Sequence, residues 1–327
     1  MKPEFDEVIV ETPSRLHFGL FAVGEKVQRK FGGIGLMVTE PRNRIVLRPA
    51  RTDEPQPDSD LIRQAKQLWC DANNCNLESL PAIEIASTPR RHVGLGSGTQ
   101  ISLAIGTGLD RFFGRPQRGA AESAAMMHRA KRSAIGTYGF FRGGFVVDRG
   151  VTANEKIAPL DLQTDFPNQW PIVLLIGKRK SGLFGSHEND TFRKLPDVTP
   201  QQQAEMIELA RMKIVPGILT TDYDLFADGV YEFGYRCGQF FSEFQGGPFN
   251  GQLATELVSS VRDFGVKAVG QSSWGPCIFA CPSNDKQAQQ LVAYVRNTFD
   301  DEIETIITRA DNHGHVLTVP QPEIAES

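Results

Sequence analysis

Membrane-length hydrophobic runs are missing from this chain: every apolar stretch meets a charge or a breaker well short of the roughly 20 residues that a bilayer requires. The first residues carry Glu4, Asp6 and Glu7 where a secretory leader would place basic groups before an apolar run, so no leader is expected. Cysteine is scarce and poorly spaced for redox or zinc chemistry. The five, Cys70, Cys75, Cys237, Cys277 and Cys281, include no Cys-x-x-Cys pair, and their odd number argues against a complete disulfide framework, so a reducing cytoplasm is expected. Positive charge is not in excess either. With 35 Lys and Arg against 39 Asp and Glu the net charge is -4, which excludes a general nucleic-acid or anionic-membrane surface and makes any anion site local.

Metal signatures are absent as well. The six histidines, His17, His92, His128, His187, His313 and His315, form no His-Glu-x-x-His or Cys/His pattern. His313 and His315 read as a surface pair, while Cys277 and Cys281 fall in an apolar, strand-like run and read as core.

What the chain does have is length for a compact enzyme: 327 residues allow one large or two closely packed domains with a sizeable core. Period-2 apolar runs predict strands at Val8–Val10, Leu16–Val23, Gly35–Val38, Ile45–Leu47 and Ile83–Ile85. Helical spacing of Leu61, Ala65, Leu68 and Trp69 predicts a helix over 60–74, after a surface loop at Thr52 to Ser59. Further helices are expected over 99–113 and 120–131, with strands at Phe145–Val147 and Ile172–Ile176. The polar loop 154–169 between those strands reads as the domain seam. Beyond Pro200 come helices over 200–213, 222–243 and 250–264, a strand-turn-strand over 266–280, a helix over 285–298 and a strand pair near 303–308 and 315–319. The pattern predicts an α+β chain of two lobes, 1–165 and 166–327.

One segment breaks this pattern with chemistry in view. Gly94-Leu95-Gly96-Ser97-Gly98-Thr99-Gln100 runs straight into a helix-forming stretch. Glycines let a backbone approach an anion, and the N–H groups of a helix's first turn point at it. Ser97 and Thr99 add hydroxyls, and Arg90, Arg91 and His92 add positive charge next door. A structural loop capping the helix is the competing reading. The spacing is neither a Walker loop nor a dinucleotide fingerprint.

Four other breaks accompany it. Alternation along Ser14 to Leu20 places Arg15 and His17 on one face, either a solvated face or part of a site. Arg29 to Gly35, with Gly32 and Gly33, reads equally as an anion site or a hairpin turn. Lys131 to Asp148 carries Arg132, Arg142, Gly143 and Gly144 and could line the cleft of an anionic ligand. Gln245-Gly246-Gly247 and Gly270-Gln271-Ser272-Ser273-Trp274-Gly275-Pro276 offer backbone N–H groups and hydroxyls, or ordinary turns.

Thr12-Pro13-Ser14-Arg15-Leu16-His17, then Gly94-Leu95-Gly96-Ser97-Gly98-Thr99, then Gly270-Gln271-Ser272-Ser273-Trp274-Gly275-Pro276 resemble the three motifs of the GHMP kinase superfamily, in order. Within it, Arg15-Leu16-His17-Phe18-Gly19-Leu20, the Gly-Ser-Gly-Thr-Gln form of the loop, Arg142-Gly143-Gly144-Phe145 and Gln245-Gly246-Gly247 look most like the β-ribofuranosylaminobenzene 5'-phosphate synthases of methanopterin biosynthesis, over roughly residues 8–281. The sequence departs from the kinases at one position. Many carry a catalytic Asp seven residues before a Gly-Gly that opens a strand, and that register falls on Gly136, which cannot take a proton.

The resemblance implies a two-lobed GHMP-type fold, with an N-terminal lobe like ribosomal protein S5 domain 2 and a ferredoxin-like C-terminal lobe. It implies condensation of 4-aminobenzoate or 4-hydroxybenzoate with 5-phosphoribosyl 1-diphosphate, with loss of carbon dioxide and diphosphate. His92, Gly94, Gly96, Ser97, Gly98, Thr99, Gln100, Gln271, Ser272 and Ser273 are then the expected phosphate-binding residues. Arg15, His17 and Arg142 are the expected catalytic group, and Gly32, Gly33, Arg132, Gly143, Gly144, Gln245 and Gly246 would contact substrate. Mg²⁺ is the expected cofactor, with Glu122 and Asp148 as candidate ligands, and a homodimer is consistent with the superfamily. The alternatives are an ATP-dependent small-molecule kinase of the same superfamily and a phosphate- or nucleotide-binding regulator without catalysis.

Overall fold

The computed structural model describes residues 2–50, 59–178 and 195–320; the expected loop at 52–58 and His187 fall outside them. Two long antiparallel strands, β1 (Val8–Ala22) and β2 (Phe31–Arg48), form the spine of the first sheet. Each was expected as two short strands, and Pro13 and Pro41 fall in the gaps between them. The structure carries both strands through, with register shifts between Thr12 and Ser14 and again between His17 and Gly19. Proline supplies no N–H to a ladder and is tolerated at bulges. Side chains mend the gap: Ser14 Oγ donates to the Pro41 carbonyl at 2.6 Å, and Asn43 Nδ2 donates to Thr12 Oγ1 at 3.0 Å.

Four more strands complete this sheet: β3 (Ala82–Ser87), β4 (Phe145–Asp148), β5 (Leu160–Thr164) and, from the end of the chain, β10 (Val316–Thr318). The order is β10-β1-β2-β4-β5, with β3 on the other half of β2. Helices α1 (Asp60–Asn73), α2 (Ser97–Phe112), α3 (Ala120–Met126) and α4 (Ile135–Arg142) belong to this lobe. Buried Trp69, Leu103, Leu109 and Phe140 pack with Val8, Val10, Ile45 and Leu47 of the sheet.

The second sheet contains β6 (Ile172–Gly177), β7 (Val269–Gln271), β8 (Cys277–Ala280) and β9 (Ile303–Thr308), in the order β7-β8-β6-β9. Between β6 and β7 lie α5 (Pro200–Leu209), a π turn (Ala210–Ile214), α6 (Val215–Thr220), α7 (Tyr223–Gln239), α8 (Ser242–Gln245) and α9 (Gly251–Asp263). Helix α10 (Asp285–Phe299) joins β8 to β9. Taken in chain order, these strands give the βαββαβ pattern of a ferredoxin-like lobe, as expected.

The two sheets share one core. Leu16, Phe18 and Leu36 of the first sheet pack with Ile172, Leu174 and Phe279 of the second, and Phe18 stacks on Phe279 with ring centroids 4.4 Å apart. Burying apolar surface from both sheets against each other fixes the lobes as neighbours.

Four expectations need correction. The residues near 303–308 and 315–319 do not pair with each other: β9 lies beside β6, while β10 pairs with β1, Ile9 opposite Thr318. The end of the chain therefore returns to the first sheet, across the 165/166 division. The helix expected over 120–131 ends at Met126, because His128 and Ala130 take left-handed backbone conformations. Residues 135–142, part of the stretch 131–148 read as a break in the hydrophobic pattern, form α4, and the polar loop expected over 154–169 contains β5.

Candidate active site

The three motifs meet through hydrogen bonds. Arg15 N–H donates to the Leu95 carbonyl at 2.9 Å, joining the first motif to the glycine loop. Ser273 N–H donates to the His17 carbonyl at 3.0 Å, joining the third motif to the first. Ser272 Oγ accepts from His17 N–H at 3.0 Å and donates to the Gly94 carbonyl at 2.7 Å, so one buried hydroxyl touches both.

Gly96 is the N-cap of α2, left-handed at φ 69°, and provides no side chain to cap the helix. A β-carbon there would meet Arg15 Nε at 3.0 Å and Arg15 Cβ at 3.2 Å. Arg15 therefore lies against the start of α2, where backbone dipoles already favour negative charge. Gly136, on α4, faces the same place: its hypothetical β-carbon would lie 3.5 Å from Gln100 Nε2, 3.7 Å from Thr99 Cγ2 and 3.8 Å from Arg15 Nε. Gln100 Nε2 donates to the Gly136 carbonyl at 2.7 Å, while Gln100 Oε1 and Thr137 Oγ1 are buried without a hydrogen-bond partner among the described residues. Buried polar atoms of this kind ordinarily find a partner, which marks the junction as a place for a ligand or water.

A cleft of about 750 Å³ opens beside this junction. One wall is basic, formed by Arg15, Arg129, Lys131 and Arg132 with His17 and His128. The other is apolar, with Phe31, Cys237, Phe241 and Trp274; the last two meet edge-to-face at 5.0 Å. No Asp or Glu is among the described residues lining the cleft. Such a space suits a ligand that is anionic at one end and flat and apolar at the other.

Burial first, then the charges of Arg15 and Arg132, hold the His17 imidazole well below its ordinary range. It is neutral at pH 7, so His17 is a proton acceptor or hydrogen-bonding group. Burial also pushes the Cys237 thiol up to about 12, which keeps it protonated against the apolar wall.

The structure brings Arg15, His17, Thr99, Arg132, Gln245, Gln271 and Ser273 to the cleft. Gly96, Ser97, Gly98 and Gln100 form the adjoining turn of α2. Other expected residues have structural duties. The Ser272 hydroxyl is spent between the motifs, and a β-carbon on Gly94 would strike the Ser272 carbonyl at 2.3 Å. Gln271 holds the Asn250 N–H and the Ser273 carbonyl at 2.8 and 2.9 Å. Exposed His92 and Gly246 do not line the cleft, although Gln245 does, bracing the Gly238 and Gly247 carbonyls.

Arg142 points elsewhere, its guanidinium reaching the Gln163 carbonyl at 3.4 Å on the surface. Gly143 and Gly144 pack against the backbone of Asp311 and Thr164, and Gly32 and Gly33 against Gly150 and Gly19, so all four serve close backbone approach. Arg90 spans to the second lobe through the Gly177 carbonyl and Glu304. His315, expected on the surface, is half-buried and stacks on Phe140 at 4.3 Å.

Neither candidate metal ligand is placed for the task. Asp148 is fully buried and accepts from Ser133 Oγ, Ala134 N–H and Gly150 N–H, and Glu122 caps α3 by accepting from Gly119 N–H. Among the described residues no three His, Cys, Asp or Glu are grouped for a metal. Hard cations such as Mg²⁺ prefer carboxylate oxygens, and the cleft presents cations and hydroxyls instead. The described residues do not fit a protein-held Mg²⁺.

Sequence reasoning missed His128 and Arg129, hidden inside an expected helix, and the apolar wall. The available signal was density of charge: His128-Arg129-Ala130-Lys131-Arg132 has three cations in five residues.

Known proteins resemble this chain in sequence and in fold. The family model described as GHMP kinases C terminal matches residues 214–301. A β-ribofuranosylphenol 5'-phosphate synthase of Archaeoglobus fulgidus is 32% identical, over 95% of this chain and 99% of its own. The protein of the same name from Methanocaldococcus jannaschii is 28% identical, over 95% and 100%. Among solved structures, homoserine kinase from Cytophaga hutchinsonii superposes with a TM-score of 0.65 at 16% identity, covering 97% of this chain and 99% of the kinase, a likeness of fold. With its three motifs joined around one cleft and a relative this similar over its whole length, the chain belongs to the β-ribofuranosylphenol 5'-phosphate synthase family, within the GHMP kinase superfamily.

Proposed function

We propose that this chain is a decarboxylating phosphoribosyl transferase that condenses a 4-substituted benzoate with 5-phosphoribosyl 1-diphosphate, releasing carbon dioxide and diphosphate, in methanopterin biosynthesis. The phenol in the names of its relatives favours 4-hydroxybenzoate as the acid. The observation that carries the reading is the cleft itself, lined by Arg15, Arg129, Lys131 and Arg132 and by the rings of Phe31, Phe241 and Trp274, with no carboxylate among its described lining residues.

Departure of diphosphate leaves negative charge on the leaving group and positive charge on the ribose. Fixed donors placed where that charge develops lower the barrier. The start of α2 and Arg15 supply such donors, since Gly96 brings the helix against the guanidinium. Magnesium complexed to the diphosphate would arrive as part of the substrate.

The ring carbon bearing the carboxylate then attacks the anomeric carbon of the ribose. The C–C bond forms as the C–O bond to diphosphate breaks. Loss of carbon dioxide returns the electron pair to the ring and restores its aromaticity. This sequence needs close placement more than a strong base. Phe31, Phe241 and Trp274 would hold the ring. Neutral His17 would take a hydrogen bond from the 4-hydroxyl or 4-amino group as charge builds on the ring.

The kinase reading loses ground at Gly136. It adjoins Thr99 and Arg15, where a carboxylate base would serve an accepting alcohol, and it has no side chain. Incubation with each benzoate and 5-phosphoribosyl 1-diphosphate, in parallel with ATP and a panel of alcohols, tests the proposal. A C-riboside phosphate from the first mixture and no ADP from the second is the expected result. ADP without riboside overturns it.

A further inference from the structure

Glycine loop and Arg15 account for one anion, yet the proposed sugar substrate carries two: a diphosphate at C1 and a phosphomonoester at C5. The cleft has more cations than one diphosphate site uses. Arg129, Lys131 and Arg132 follow α3, the first two within the helix that the sequence predicted over 120–131, and all three line the cleft.

Their segment is held in an unfavourable shape. His128 at φ 52° and Ala130 at φ 61° are non-glycine residues in left-handed backbone, a sparsely populated and strained conformation for them. Eight described non-glycine residues have positive φ, and four of them, Phe31, His128, Ala130 and Ser273, line this one cleft. Strain gathered in this way is maintained by the surrounding structure and is typical of ligand-binding positions. Both ends of the segment are fastened: Arg129 N–H donates to the Ala124 carbonyl at 2.8 Å, and Asp148 accepts from Ser133 Oγ and Ala134 N–H at 3.0 and 2.9 Å.

Arg129 is the informative member. Its Nη2 donates to Ser102 Oγ at 2.5 Å, and Ser102 Oγ donates to the Gly98 carbonyl at 2.9 Å, which places the guanidinium one hydroxyl away from the glycine loop. Its Nε is buried with no hydrogen-bond partner among the described residues. Burial alone presses the group towards losing its charge. A guanidinium in that state gains most from a bound anion. Arg132 lines the same cleft as His17, and its charge contributes to the lowering of the imidazole.

We infer that the segment 128–132 is a second anion site, that it seats the 5-phosphate of the sugar substrate, and that Arg129 is its principal binding residue. A phosphomonoester dianion matches three clustered cations better than a single benzoate carboxylate does, and the benzoate has the apolar wall for its ring. With the diphosphate at the start of α2 and the 5-phosphate at this segment, the ribose between them has its anomeric carbon towards Arg15. This inference rests on the proposed phosphoribosyl chemistry for its ligand.

Calorimetry on the whole protein tests it with three probes: ribose 5-phosphate, inorganic diphosphate and 4-hydroxybenzoate. Arg129→Gln is expected to weaken ribose 5-phosphate by about tenfold or more, the scale of a lost charge-assisted contact, and to leave the other two within about threefold. Lys131→Ala, at an exposed position, is expected to weaken ribose 5-phosphate alone by a smaller factor, and it carries the same test if Arg129→Gln does not fold. Unchanged ribose 5-phosphate affinity in the variants overturns the assignment, as does a loss confined to 4-hydroxybenzoate, which would make this the carboxylate site. Equal loss of all three probes with a lower melting temperature would show a structural prop. Failure of the synthase reading looks different: ribose 5-phosphate would still bind at Arg129, while the complete substrate mixture released no carbon dioxide.

Discussion

Ser272 Oγ donates to the carbonyl of Gly94 at 2.7 Å across 178 residues of sequence, while accepting the N–H of His17. One fully buried hydroxyl thus ties the third motif to the other two. Ser272→Ala leaves a buried acceptor and a buried donor unsatisfied and is expected to cost about 1–3 kcal/mol. Urea unfolding followed by tryptophan fluorescence measures the loss. An unchanged midpoint would mean that apolar packing alone holds the motifs together.

Arg15 differs because its side chain faces the cleft beside Gly96. Arg15→Ala is expected to lower kcat/KM by about 100-fold, the scale of a lost charge-assisted interaction in the transition state, with little change in melting temperature. Parallel steady-state kinetics and thermal melts decide. Proportional losses in both would make Arg15 a folding residue.

Gly136 has room for a side chain, its hypothetical β-carbon meeting nothing nearer than 3.5 Å. Gly136→Ala is expected to fold normally and to gain about 0.5–1 kcal/mol from helix propensity. Gly136→Asp places a carboxylate beside Arg15 and is expected to weaken inorganic diphosphate by about tenfold without conferring ATP-dependent phosphorylation. Calorimetry and an ADP assay report both. ADP formation by the Asp variant would show that a kinase lacking only its base had been present.

His17 gives stability a pH signature. Its folded value lies well below the ordinary 6.5, so between the two values the unfolded chain holds a proton that the folded chain does not. The stabilisation is fully present above pH 6.5 and drains away as pH falls below it, by up to about 1.4 kcal/mol per pH unit. His315 is depressed in the same direction by burial, so wild type and His17→Gln must be compared as a difference. Denaturant midpoints at pH 5, 6 and 7 are expected to show a shallower slope in the variant. Parallel slopes would contradict the burial of a neutral imidazole.

Arg142→Ala is expected to retain activity within about twofold, as surface positions away from a site usually do. Its guanidinium reaches only a surface carbonyl in the described structure. A large kinetic loss would put the cleft's boundary in the wrong place.

Continuous signals were the legible ones. The glycine loop with its helix and each of the two flanking motifs are uninterrupted runs of sequence, so their order and the α+β architecture could be read directly. Interactions that reverse a local preference were not. Prolines at 13 and 41 fall in the gaps between the short strands that were expected, and Ser14 and Asn43 repair the ladder there through side chains. The apolar rhythm of Ala120 to Met127 continues on paper into Arg129, whereas the left-handed backbone of His128 and Ala130 ends the helix and turns its cations into the cleft. Gly143 and Gly144 read as ligand-facing because a glycine pair looks the same in sequence whether it meets a phosphate or a neighbouring backbone.

The most direct test uses 4-hydroxybenzoate labelled at its carboxyl carbon together with 5-phosphoribosyl 1-diphosphate, assaying carbon dioxide and diphosphate in the same reaction. Equal amounts of labelled carbon dioxide and diphosphate, both dependent on the protein and on both substrates, are the predicted result. Diphosphate release without labelled carbon dioxide would contradict the proposed chemistry.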